Sequence, residues 1–198
     1  MSRHGGQEVE IKLRLPANLN PIRRKLREES FHVVKRRTFE ENALFDNPQQ
    51  SLRNQGKLIR IRHVGSQSVL TYKGPPAPNT RHKSRPEIEI ELPDPDRFEE
   101  ILRQIGYDPS FRYEKYRTEF STHPNEGTVM LDETPIGNFL EVEGSPHWID
   151  RTAKRLGYSR ADYVTSSYGF LYMVYCREHK IQPSHMLFHR SGKQRKRR

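Results

Sequence analysis

Cysteine is all but missing from this 198-residue chain: Cys176 stands alone, so no disulfide can form within it. A single thiol fits a reducing compartment, and a cytoplasmic location is expected. No stretch approaches the roughly 20 apolar residues that a membrane-spanning helix needs, and Met1-Ser2-Arg3-His4-Gly5-Gly6 offers no apolar core for a secretory signal. No membrane partner is therefore expected. Cysteine and histidine nowhere stand at zinc spacing. His185 and His189 could share a helix face, but two ligands without a third do not complete a site. Neither a Walker phosphate loop nor a Gly-x-Gly-x-x-Gly strand-to-helix turn occurs.

Charge, by contrast, is plentiful. Asp, Glu, Lys and Arg make up 30% of the chain, and the formal net charge of +10 invites a nucleic-acid partner. Its distribution weakens that reading. Arg190, Lys193, Arg195, Lys196, Arg197 and Arg198 carry six of those charges, leaving +4 for residues 1–189. Residues 1–178 are enough for one domain with a sizeable core, and residues 179–198 read as a basic, disordered tail. A solvated tail is the leading expectation; weak, salt-sensitive contact with RNA or anionic lipid is the alternative.

The most informative pattern is alternation. Successive side chains on a strand point to opposite faces, so Glu8, Glu10 and Lys12 share one face while Val9, Ile11, Leu13 and Leu15 line the other. One such strand could simply turn its polar face to water. The pattern recurs, however. Arg60 and Arg62 alternate with Ile59 and Ile61; Glu87, Glu89 and Glu91 with Ile88, Ile90 and Leu92; Lys115, Arg117 and Glu119 with Tyr116, Thr118 and Phe120; Glu141 and Glu143 with Leu140 and Val142. Like charges two residues apart on a buried face repel, so they persist only opposite the other sign or a bound ion. An antiparallel barrel with its apolar side outward, under helices, and its charged side inward satisfies them all. Its carboxylates would hold a divalent metal and its Arg and Lys a polyanion.

Strands are predicted at about 7–15, 36–45, 57–64, 67–73, 86–92, 113–121, 128–133 and 138–143, separated by turns such as Asn47-Pro48, Gly65-Ser66 and Gly74-Pro75-Pro76. Eight antiparallel strands can close around one small ligand. Helices are predicted from Asn20 to Ser30, Asp94 to Gly106, Ser145 to Gly157 and Thr165 to about Glu178. The fold class is α+β: an eight-stranded barrel with peripheral helices.

An ordered set of motifs then resembles the CYTH domain, also called the triphosphate tunnel metalloenzyme superfamily, over roughly residues 7–175. The set comprises Glu8-x-Glu10-x-Lys12, Phe45-Asp46, Leu52-Arg53, Leu58-Ile59-Arg60-Ile61-Arg62, Lys73 and Arg85-x-Glu87-x-Glu89. It continues through Glu114-Lys115-Tyr116-Arg117, Leu131-Asp132, Glu141-x-Glu143 and Ser167-Tyr168. Gly106 to Phe111 leading into Glu114, with Gly137-Asn138-Phe139 later, is most similar to the class IV adenylyl cyclase branch. Many hydrolytic members carry a Lys just before the Ser-Tyr pair, where this chain has Thr165 and Ser166.

The resemblance implies a divalent cation, Mg²⁺ or Mn²⁺, and a triphosphate-containing small molecule such as ATP. Arg53, Arg60, Arg62, Lys73, Arg85, Lys115 and Arg117 are the expected phosphate-binding cations. Glu8, Glu10, Glu87, Glu89, Asp132, Glu141 and Glu143 are the expected metal ligands, and Lys12, Glu10 and Asp132 the catalytic set. Lys12 would neutralise phosphate charge or tune its glutamates; as a general base it would need a depressed pKa. Arg81 and Lys83, in the loop 74–86, either capture substrate or are inert. Asp46 reads as a turn former, and Tyr168, Phe170, Leu171, Tyr172 and Tyr175 as packing residues that plug or cover the barrel, with adenine stacking by one of them as the alternative. Conversion of ATP to cyclic AMP and pyrophosphate is the leading expectation. Hydrolysis of inorganic triphosphate, thiamine triphosphate or a nucleoside triphosphate is the alternative, and a non-catalytic sensor the third. A homodimer is carried as an open expectation.

Overall fold

Every strand pairing is antiparallel, and the pairings close on themselves in the order β1-β5-β4-β3-β2-β6-β7-β8. The strands are β1 (Gly6–Leu15), β2 (His32–Asp46), β3 (Leu58–Val64), β4 (Gln67–Lys73), β5 (Lys83–Glu91), β6 (Asp108–Ser121), β7 (Gly127–Thr134) and β8 (Gly137–Gly144). This computed structural model describes residues 6–78, 81–123 and 126–189. Among the described residues five α-helices accompany the barrel: α1 (Asn20–Glu28), α2 (Ser51–Asn54), α3 (Pro95–Gln104), α4 (Pro146–Arg155) and α5 (Tyr168–His179). No described helix is long and apolar enough to cross a membrane.

The apolar half of most alternations faces outward under helices; on β5, Ile88 and Ile90 stay 50% exposed. Ile11, Leu13, Val129, Leu131, Leu140 and Val142 form one cluster with Ile22 and Leu26 of α1 and Trp148, Ile149 and Ala153 of α4. Trp148, the chain's single tryptophan, lies so close to β7 and β8 that a Cβ on Gly127 or Gly144 would stand 2.6 or 2.9 Å from its ring. Leu102 and Phe98 of α3 cover Ala43, Phe45 and Ile61. Sequence-local caps start the helices: Asp94 accepts from the Arg97 N–H, Ser145 from Trp148 and Ser167 from Phe170.

The structure departs from the sequence reading at three places. β5 begins at Lys83 and runs through Pro86, where a loop was expected. The Pro86 carbonyl accepts from Gly74 just beyond β4, so the proline's missing donor falls where that ladder has ended. The short helix α2 was not foreseen. Asp46 creates it by accepting the N–H groups of Asn47, Leu52 and Arg53, which gives Asp46 a structural task. Finally, residues 181–189 return to the barrel: Met186 is fully buried and bridges to Tyr113, and the Phe188 N–H donates to Glu114 at 2.9 Å. The basic run Arg190 to Arg198 lies outside the described residues.

Candidate active site

The charged half of each alternation points into the barrel, around a cavity of about 870 Å³. Register fixes which side chains meet. Glu8 stands opposite Arg85, Glu10 opposite both Lys83 and Glu143, and Lys12 opposite Glu141. Arg60 faces Thr71, Thr71 faces Glu89, and Lys73 faces Glu87. Lys115 faces Glu40, and Arg117 faces Asp132.

These neighbours form ion pairs across the strands. Lys12 sits between Glu10 and Glu141 at 3.1 and 3.2 Å. Lys73 bonds to Glu8 and to Glu87, the latter at 3.0 Å, while Arg85 holds the other oxygen of Glu8 at 3.1 Å. Arg60 and Arg62 converge on Glu89 at 3.2 and 2.9 Å. Arg117 bonds to Glu141 and grips Asp132 through Nε and Nη2 at 2.7 and 2.6 Å. Buried charges survive only with such partners.

The partners also set protonation. Burial alone would lower Lys12, but Glu10 and Glu141 outweigh it and hold the ammonium well above its ordinary pKa. Lys12 is thus a fixed cation here, which supports charge neutralisation over a proton-accepting role. Burial would raise Glu141 and Glu10, yet Lys12 with Arg117 pulls the first far down, and Lys12 with Lys83 the second. Lys83 goes the other way: burial lowers it to about 8 despite Glu10, with Lys12 and Arg85 adding to the fall.

Most of the residues singled out from the sequence share this one cavity. Glu8, Glu10, Lys12, Arg60, Arg62, Lys73, Arg85, Glu87, Glu89, Lys115, Arg117, Glu141 and Glu143 line it, and Arg53 stands at its rim on α2. Asp132 is the exception. It is fully buried outside the cavity lining, filled by Lys115 at 2.9 Å, Arg117 and the Tyr168 hydroxyl at 2.8 Å, and so positions those groups.

Sequence reasoning left Glu40 without a role and put Lys83, one of the two basic residues weighed for substrate capture, on a loop instead of an inward strand position. Glu40 is 1% exposed beside Lys115 and Arg62 at 3.5 and 3.9 Å. Lys83, read as a loop residue, reaches Glu10 at 2.7 Å. Extending the Arg85/Glu87/Glu89 alternation backward by one step would have found Lys83. His185 accepts from the Arg112 backbone.

Among the described residues no three His, Cys, Asp or Glu side chains are grouped to hold a metal ion. The donor chemistry nevertheless fits a hard divalent cation. Glu10, Glu141 and Glu143 present carboxylates from adjacent strands, and the Lys12 ammonium already occupies the space between two of them as a cation.

The CYTH domain family model matches residues 6–168, and this chain belongs to that family. A Methanocaldococcus jannaschii protein provisionally named an adenylate cyclase is 28% identical over 138 residues, 70% of this chain and 77% of that protein. A solved Vibrio parahaemolyticus structure, also provisionally an adenylate cyclase, superposes with a TM-score of 0.73 at 22% identity, over 85% of this chain and 98% of that one. A Hippeastrum protein, provisionally an adenylyl cyclase and described as having a dominant triphosphatase activity, gives 0.62 at 20% identity, over 89% and 98%. The two structures bear on fold, which matches the barrel found here.

Proposed function

We propose that this chain is a metal-dependent enzyme that cleaves a phosphoanhydride bond of a triphosphate substrate, acting as a class IV adenylyl cyclase does on ATP. The observation that carries this reading is the facing rows of cations and carboxylates inside a closed barrel of nucleotide-sized volume. A triphosphate carries about four negative charges that water solvates well, so a binding pocket must replace that solvation with fixed cations. Arg60, Arg62, Lys73, Arg85, Lys115 and Arg117 provide them. Each is already aimed by a carboxylate, and exchanging that partner for a phosphate oxygen keeps the cation paired.

Glu10, Glu141 and Glu143 would hold Mg²⁺ or Mn²⁺, with Glu8, Glu87 and Glu89 further along the same wall. When bound, the ion supplies Lewis-acid stabilisation of charge on phosphate oxygens. Lys12 neutralises charge between Glu10 and Glu141, and Tyr168 with Asp132 fixes Lys115 and Arg117 in place. In the cyclase reaction the ribose 3′-oxygen attacks the α-phosphorus, its proton leaves to solvent or base, and pyrophosphate departs. Hydrolysis is the second reading: water attacks the terminal phosphorus, using the same cations. The Hippeastrum protein's described activity favours keeping it.

Incubation with ATP, inorganic triphosphate and thiamine triphosphate, each with Mg²⁺ or Mn²⁺, separates the readings by product. Cyclic AMP with pyrophosphate is the expected result, whereas orthophosphate with a diphosphate product establishes the hydrolase. Tight binding without turnover would overturn both in favour of a sensor.

A further inference from the structure

Outside the barrel, one carboxylate gathers side chains from separate parts of the chain. Asp150 of α4 accepts from the Tyr163 hydroxyl at 3.0 Å and from the Arg160 guanidinium at 2.8 Å. A carboxylate is an acceptor only, so the His82 ring donates to it from Nε2, at 2.8 Å from Oδ1. His82 is 9% exposed. The apolar packing of α4 runs through Trp148, Ile149 and Ala153, so the fold holds that helix without help from Asp150. Neither core packing nor the phosphate site accounts for the contact between His82 and Asp150.

What that contact holds is the start of β5. Lys83 follows His82 directly, and adjacent side chains on an extended chain point to opposite faces, so an outward His82 goes with an inward Lys83. The Lys83 ammonium lines the cavity and reaches Glu10 Oε1 at 2.7 Å. Lys12 reaches the same oxygen at 3.1 Å, so two like charges crowd one atom and repel. The sheet grips Lys83 on one side only: among the described residues β4 pairs with β5 from Glu87 to Glu91, whereas Lys83 pairs with β1 alone. His82 supplies the missing hold from outside. Tyr163 ties the second lysine to the same point, because the next residue, Val164, exchanges backbone hydrogen bonds with Lys12 at 2.8 and 2.9 Å. Asp150 is thus a common anchor for the strands that carry both ammonium groups.

We propose that His82 and Asp150 are positioning residues for substrate binding: their contact outside the barrel aims Lys83 into the tunnel as a further phosphate-binding cation. The inference rests on the reading that the tunnel binds triphosphate. Lysine is a point charge on a flexible stem, so where its ammonium spends its time depends on how firmly its backbone is held. Without His82, the repulsion from Lys12 and Arg85 acts on a strand end paired on one side. The ammonium then meets a phosphate oxygen in the cavity less often, and triphosphate affinity falls.

Calorimetric titration of the full chain with inorganic triphosphate in EDTA, where metal-dependent turnover is suppressed, tests this through a double-mutant cycle of H82A and K83M. Circular dichroism and a melting curve check that each variant is folded; should H82A not fold, H82N, too short to reach Asp150, takes its place. H82A is expected to lose about threefold or more in affinity, and H82Q, whose amide can reach the same Asp150 oxygen, to recover it. In the K83M background, H82A should change affinity by less than about 1.5-fold, because the side chain it positions is gone. A role in stability alone gives the same loss in both backgrounds. Wild-type affinity in H82A or in K83M, or equal losses in the two backgrounds, overturns the proposal and leaves the tunnel reading in place. If wild type does not bind inorganic triphosphate, the tunnel reading itself falls and this one with it.

Discussion

Arg60 donates to Thr71, Glu89 and Tyr113 at 3.0, 3.2 and 3.3 Å from a position only 8% exposed. Replacing it with alanine removes a buried, pre-aimed cation from the middle of the cavity. A charge-assisted hydrogen bond of this kind is worth roughly 1.5–3 kcal/mol, so R60A should bind a triphosphate analogue roughly 10–150-fold more weakly by calorimetry. Affinity equal to wild type would remove Arg60 from the phosphate site. Glu40 supplies a test of stability instead. Burial would raise its pKa, but Lys115, Arg117, Arg62 and Arg60 pull it from the ordinary 4.5 down to about 2. A carboxyl depressed in the folded state contributes stability above its unfolded value and loses it as pH falls toward the folded one. The contribution is on the order of 3 kcal/mol. Denaturant unfolding should show stability dropping between pH 4.5 and 2, with a shallower drop for E40Q; parallel slopes would contradict this. Glu40 was illegible in the sequence because Glu41 follows it directly, so the pair Glu40-Glu41 does not show the charged/apolar alternation that exposed the other charges.

Among the elements, α2 and the returning segment 181–189 carry the sharpest expectations. Asp46 accepts three backbone N–H groups, that of the adjoining Asn47 and those of Leu52 and Arg53 in α2. D46A should therefore lower stability by about 0.5–2 kcal/mol and loosen Arg53, which a melting curve and triphosphate titration would report together. An unchanged melting temperature would show that the cap is dispensable. Met186 is fully buried against β6 and α5. M186A should cost about 2–5 kcal/mol by cavity formation, measured by denaturant unfolding; a cost near zero would mean that the segment is not anchored. The strands and four longer helices were readable because period-2 and helical apolar patterns and local caps lie in neighbouring residues. Helix α2 and the return of Met186 depend on Asp46 and Tyr113, partners whose relation appears only after the chain folds.

At the scale of the molecule, the barrel encloses a charge-balanced interior whose lining is built from alternate positions of its strands. That balance explains how rows of like charge are tolerated: Glu8, Lys12, Lys73 and Arg117 each face the opposite charge across the register, and Glu10, with Glu143 on one side, has Lys83 on the other. It also predicts partner exchange, with phosphates taking the arginines and lysines while a metal takes the glutamates. The cation rows and glutamate rows were legible from sequence as sets. Which glutamate meets which lysine was not, because register is a property of the closed barrel. The most direct test is a crystal structure with α,β-methylene ATP and Mn²⁺, using anomalous scattering to place the metal. The triphosphate is expected inside the barrel on Arg60, Lys115 and Arg117, with the anomalous peak at Glu10, Glu141 and Glu143. A triphosphate bound on the outer surface, or Mn²⁺ away from those carboxylates, would contradict the account.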